Sequence, residues 1–266
     1  MKILALLLLF ICMLLPAVSA QTYSQPMTGL SWNTHEISVN IPNNPTWATT
    51  GIEEAIADWN AAQSWFIQTY FPNETAAQFT FEAAQGQSHS LVKILYVSDV
   101  GQFWTGNTEV PTAGSVTNET ILIVLTRLTT AKDMLQVVEH ELGHVLGLDD
   151  TKIPFDLMFA AQDSYTGGEP THPSTLNLYA VFLLANGCIF SSDDVVNLPP
   201  QIPYIEWYPS LNASNTETNV RASQPVEQGG CPRRLEFWQE PSFIFPLAVL
   251  VVLFGAYLLG SRRKKP

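Results

Sequence analysis

A chain of 266 residues allows one large domain or two small ones; its formal net charge is −12, with 46% hydrophobic and only 14% charged residues. Five of the twelve cationic residues lie in 1–20 and 242–266 and all 24 acidic residues lie between, so the middle carries a net charge of −17. That balance excludes a basic nucleic-acid binder and a disordered acidic tail, and it repels polyanions.

Lys2 precedes an uncharged apolar run over 3–15, followed by Pro16 and the small residues Ala17-Val18-Ser19-Ala20. A basic start, a short apolar core and small residues at the cleavage point predict a secretory signal peptide over 1–20. Thr50-Gly51-Ile52-Glu53 has capping-box spacing, and Ile52, Ala55, Ile56, Trp59 and Ala62 recur with the helical period behind it. The stretches 79–83, 91–97 and 121–125 alternate or run apolar, as strands do. From 130 to 146 the period is helical again, with Leu135, Val138, Leu142 and Val145 on one face and Gly147 as the stop. A last helix follows Pro173 and ends at Asn186-Gly187.

This order predicts an α+β domain over 21–190, large enough for its own core. Residues 191–241 lack a core-forming period and are rich in Pro, Asn and Ser, which predicts an extracytoplasmic stalk. Its aromatics, among them Tyr204 and Trp207, are able to pack on the domain. The stretch 241–261 carries no charge, enough for a transmembrane helix over 242–260. Arg262, Arg263, Lys264 and Lys265 follow within a basic cytoplasmic tail, 261–266. The expected arrangement is a single-pass membrane protein with its bulk outside the cell.

In an oxidising compartment Cys188 and Cys231, left after Cys12 departs with the signal, are a candidate disulfide. Asn73, Asn118 and Asn212 head glycosylation sequons, which permit modification without requiring it.

The chemistry concentrates in His140-Glu141-Leu142-Gly143-His144. Side chains four apart on a helix lie above one another, so both imidazoles point the same way and make two corners of a tetrahedral zinc site. Glu141 is rotated about 100° from His140. It is placed to take a proton from metal-bound water and to return one to a leaving amine. The pattern continues as Val145-Leu146-Gly147-Leu148-Asp149-Asp150, in which the glycine lets the chain turn back and offer a third ligand.

HELGHVLGLDD resembles the zinc motif of the metzincin metalloproteases, and its surroundings resemble their matrixin branch, over roughly 27–190. The resemblance implies a metzincin catalytic domain, a twisted sheet with an active-site helix and a C-terminal helix. It implies one catalytic Zn2+ held by His140, His144 and Asp150, Glu141 as general base, and Met158 in a Met-containing turn beneath the metal. Asp149 is the rival third ligand, its ordinary role being a solvated turn carboxylate. Matrixins usually have His as third ligand, whereas the snapalysin-like metzincins also use Asp. No cysteine lies between Gln21 and Gly187, so a cysteine-switch prodomain is not expected, and Ala160 stands where astacins carry a switch tyrosine. A structural Ca2+ or Zn2+ is common in matrixins; the loop carboxylates Asp99, Glu109 and Asp163 are the residues available for one. His35, His89 and His172 carry no pattern, and His172, beside Pro173, reads as a helix-start residue.

The function expected is a membrane-anchored extracytoplasmic zinc endopeptidase acting on proteins or peptides. The alternative is a non-catalytic zinc-containing surface protein for binding or adhesion on the same fold.

Overall fold

The computed structural model describes residues 22–72, 75–84, 90–98, 105–111, 114–116, 120–160 and 172–207, all within the first of two compact units, Met1–Pro225. The expected signal peptide, transmembrane helix and basic tail lie outside them. So do Asn73, Asn118, Asn212, Cys231, His89, Asp99 and Asp163. No helix among the described residues is long and apolar enough to cross a membrane.

The domain mixes α and β structure. In chain order it runs β1 (Ser24–Pro26), β2 (Leu30–Trp32), β3 (Glu36–Asn40), α1 (Thr46–Tyr70), β4 (Thr80–Ala84), β5 (Val92–Val97), β6 (Gly106–Glu109), β7 (Gly114–Val116), β8 (Ile121–Thr126), α2 (Ala131–Val145), α3 (Thr175–Ala185) and β9 (Val195–Asn197). The main sheet has the order β4-β3-β5-β8-β6. Its first four strands are parallel, and β6 adds an antiparallel edge. Inward positions alternate along these strands: Ile37 and Val39, Phe79 and Phe81, Val92 and Ile94, and Ile121, Ile123 and Leu125 are all buried. The intervening residues are mostly half-exposed or exposed, so this largely parallel sheet buries mainly one face. Helices α1 and α2 pack on each other; α1 also reaches β4, and α2 reaches β8 and β6.

Helix α1 starts earlier than its capping-box spacing predicts. Pro45 occupies the N-cap, without a side-chain cap, because a fixed φ and a missing N–H cost nothing at a helix start. Thr50 lies within the first turns, its hydroxyl donating back to Thr46 O at 3.0 Å, so it is not the cap. Helix α2 begins where the sequence places it, with Thr130 accepting from Asp133 N at 3.1 Å. Helix α3 opens on a capping box that pairs Ser174 with Asn177. Its apolar residues leave no polar side, as befits an almost completely buried helix.

The ordered domain does not stop at 190. Strand β9 pairs antiparallel with β1, and the chain then runs along the domain to Trp207. Thr175 Oγ1 donates to Pro203 O at 2.7 Å, Trp207 N to Pro173 O at 3.0 Å, and Tyr204 stacks on Tyr23. Residues 191–207, expected to begin the stalk, are thus fixed by backbone and side-chain hydrogen bonds that leave no periodic trace in sequence. Cys188 is buried and disulfide-bonded; its expected partner, Cys231, is not among the described residues.

Candidate metal centre

Helix α2 is held from several sides, and this sets the direction of its side chains. Trp59 Nε1 of α1 donates to Glu139 O at 2.9 Å, and Trp32 Nε1 of β2 donates to Val145 O at 2.8 Å. At its end Gly147 takes φ +95°, a left-handed conformation that ordinary side chains resist. The chain reverses there, and Asp149 N donates to Pro26 O at 2.9 Å.

This turn returns Asp150 to the face carrying His140 and His144. Asp150 Oδ1 lies 3.4 Å from His140 Nε2 and 3.7 Å from His144 Nε2. His140 Nδ1 lies 2.7 Å from Leu157 O, and His144 Nδ1 lies 2.9 Å from Leu148 O. Carbonyls only accept, so each Nδ1 carries a proton, and in the neutral ring each Nε2 is left to present its lone pair toward Asp150. The imidazole planes are perpendicular, with centroids 4.8 Å apart. Asp149 turns away: its Oδ1 accepts from Asp150 N at 2.8 Å, which orients Asp150 and removes the rival from the cluster.

Such a group could hold a metal ion. Bond lengths near 2.0–2.1 Å place tetrahedral zinc ligands about 3.3 Å apart, close to the two separations from Asp150. The electrostatics also draw positive charge. Burial alone lowers the His140 pKa, but the Asp150 hydrogen bond and the Glu141 charge outweigh it and raise it. Burial raises the Asp150 pKa, yet both imidazoles hold it below the ordinary carboxylate range.

Glu141 projects to the side of this cluster. It is buried, and Thr108 of edge strand β6 donates its hydroxyl to Glu141 Oε2. The register that sets Thr108 opposite Ile123 of β8 brings β6 to that flank of α2.

Met158 is fully buried beneath α2. It packs on Gly143, where a β-carbon would collide with the Met158 sulfur. The loop closes through Thr151 N donating to Met158 O at 2.7 Å and rests on Asp156. The Asp156 carboxylate accepts from Met158 N and Asn177 Nδ2 on one oxygen, and from Ser174 Oγ and Tyr204 OH on the other. Burial, then the neighbouring Asp156 charge, pushes the Tyr204 phenol well above its ordinary pKa. Asn177 Nδ2 also donates to Gln25 Oε1, and Gln25 Nε2 donates to Asp149 O. One buried network therefore joins β1, the Asp149 turn, the Met158 loop, α3 and Tyr204. Its buried polar members Gln25, Asp156, Ser174 and Asn177 carry no pattern in sequence.

His172 is not simply a helix-start residue. It is buried, with Nδ1 3.1 Å from Glu139 Oε1 and 3.3 Å from Asp58 Oδ2, and these three form a second group that could hold a metal ion. Burial raises the Glu139 pKa to about 8, although His172 opposes the shift. For His172, burial acts downward, but its hydrogen bonds to Asp58 and Glu139 and their charges lift it to about 10. His35 is a structural tie, its Nε2 2.8 Å from Ala185 O. Glu109 is exposed on β6 and belongs to neither group. No protein-family model and no curated protein matches this chain.

Proposed function

We propose that this chain is a metzincin-like zinc endopeptidase of the extracytoplasmic space, held to the membrane through 242–260. The observation that carries the reading is one constellation: two Nε2 atoms and the Asp150 carboxylate converge, with Glu141 beside them and Met158 beneath. His140, His144 and Asp150 are the metal's ligands, a donor set of two nitrogens and one oxygen that suits Zn2+ and leaves a coordination position open. When bound, zinc supplies Lewis acidity, polarising the scissile carbonyl and acidifying water.

The chain's own residues do the rest. Leu157 O and Leu148 O hold the imidazole tautomers. Thr108 orients the Glu141 carboxylate, which takes a proton from the attacking water and returns it to the leaving amine. The Asp156 network keeps the Met158 loop pressed against Gly143, so the helix and the Asp150 turn keep their spacing. Zinc binding weakens at low pH chiefly because protons compete for the two imidazoles, since the Asp150 carboxylate is held below the ordinary range and takes its proton last.

The test uses the full-length chain in detergent and an unfolded protein as substrate. Cleavage should stop on adding a chelator and return on restoring Zn2+. A chain that holds Zn2+ at this centre yet cleaves nothing would instead favour a binding or adhesion protein.

A further inference from the structure

Helix α2 carries acidic groups on both flanks of His140. Glu141 turns one way, and Glu139, about 100° the other way, turns toward α1, where it meets Asp58 and His172. We propose that Asp58, Glu139 and His172 form a second divalent-cation site, of the Zn2+ class, behind the motif helix.

Four observations carry this. The three side chains come from α1, α2 and the segment ahead of α3, and their ligand atoms all lie within 4.8 Å of one another. His172 Nδ1 lies 3.1 Å from one carboxylate and 3.3 Å from the other. A single Nδ1–H serves two acceptors only as a divided hydrogen bond, whereas a cation can bind Nδ1 and both carboxylates at once, and the two separations from Nδ1 are normal for zinc ligands. Glu139 is completely buried, and its Oε2 has no hydrogen-bond partner. A buried carboxylate oxygen left unpaired is costly; bound through both oxygens, Glu139 supplies two donors and loses that orphan.

Charge balance points the same way. Two ionised carboxylates and a neutral imidazole balance a divalent cation. One nitrogen with carboxylate oxygens is a donor set for Zn2+ or a neighbouring first-row ion rather than for a soft metal. With Glu139 and His172 buried, the site is structural: it pins α1 to α2 and fixes His172, on which Trp207 packs edge-on with centroids 5.9 Å apart.

The experiment counts zinc. Full-length chain is stripped with a chelator, dialysed against excess Zn2+ and then against buffer, and its zinc measured per chain. The native chain should hold two, Asp58→Asn one, and His144→Gln one. Asp58→Asn is isosteric at a partly exposed position; His172→Gln, checked for folding by near-ultraviolet dichroism, repeats the measurement at a second ligand. Zinc content equal to the native value in both Asp58→Asn and His172→Gln overturns the buried site. A single zinc lost in His144→Gln but kept in Asp58→Asn overturns it while leaving the motif centre intact. A single zinc lost in Asp58→Asn but kept in His144→Gln supports the buried site and defeats the ligand set of the proposed enzyme.

Discussion

The two flanks of α2 carry histidine–carboxylate clusters of similar composition and opposite design. At His140, His144 and Asp150 each imidazole has its own carbonyl partner on Nδ1, and the Asp150 side chain is 45% exposed. At Asp58, Glu139 and His172 one imidazole nitrogen is shared by two carboxylates, and Glu139 has no exposure at all. An accessible group with separately held ligands suits turnover, because substrate must approach and leave. An enclosed group suits holding the chain together. Residue type does not separate the two; burial and hydrogen-bond partners do.

The sharpest way to break this comparison is to remove one ligand from the accessible cluster. His144→Gln should lose motif zinc and reduce proteolysis by at least about 100-fold, while its thermal midpoint in chelator stays near the native value. If instead its midpoint in chelator falls well below the native value, the division into working and structural clusters fails.

The next effect in size concerns the segment that closes over the buried cluster. Trp207 is 1% exposed, and Trp207→Ala should destabilise the chain by about 3–5 kcal/mol, measured by urea unfolding. A loss below about 1 kcal/mol would mean that 191–207 behaves as a stalk after all.

The third tests charge at the buried cluster through pH. The His172 pKa is raised from 6.5 to about 10. A proton held more tightly in the folded state gives stability that is fully present below 6.5 and is lost as pH rises through about 10. The raised Glu139 pKa acts with the same sign at lower pH. The chelated chain should therefore show a thermal midpoint falling across this range, with Asp58→Asn flattening the upper part. A midpoint that climbs from pH 6.5 to 10 would contradict the assigned pairing.

The smallest effect lies beneath the accessible cluster. Tyr204→Phe removes one of four donors to Asp156, and should cost about 1 kcal/mol in urea unfolding while sparing motif zinc.

The same contrast explains what could be read in advance. His140, Glu141, His144, Gly147 and Asp150 lie within eleven residues, and helical spacing followed by one glycine turn determines their convergence. Strand β8 and helix α2 were legible for the same reason, since each carries its own period. Asp58, Glu139 and His172 are brought together only by the packing of α1 on α2 and by the return of the chain to Trp207. Nothing local marks them. Strand β6, with sequence GNTE, has no apolar alternation because its place is set by backbone pairing at a sheet edge, and Thr108 was missed with it. Strands β1, β2, β7 and β9 are three residues each, too short to show a period. Strand β3 does alternate, as EISVN, and its two buried residues were recoverable from that pattern.

In the proposed enzyme Glu141 does chemistry while the residues around it hold metal. Zinc content and proteolysis of Glu141→Ala, measured side by side with the native chain, test it most directly. Unchanged zinc and proteolysis reduced at least about 100-fold are expected; proteolysis near the native rate, with zinc retained, would contradict the role of Glu141 as base.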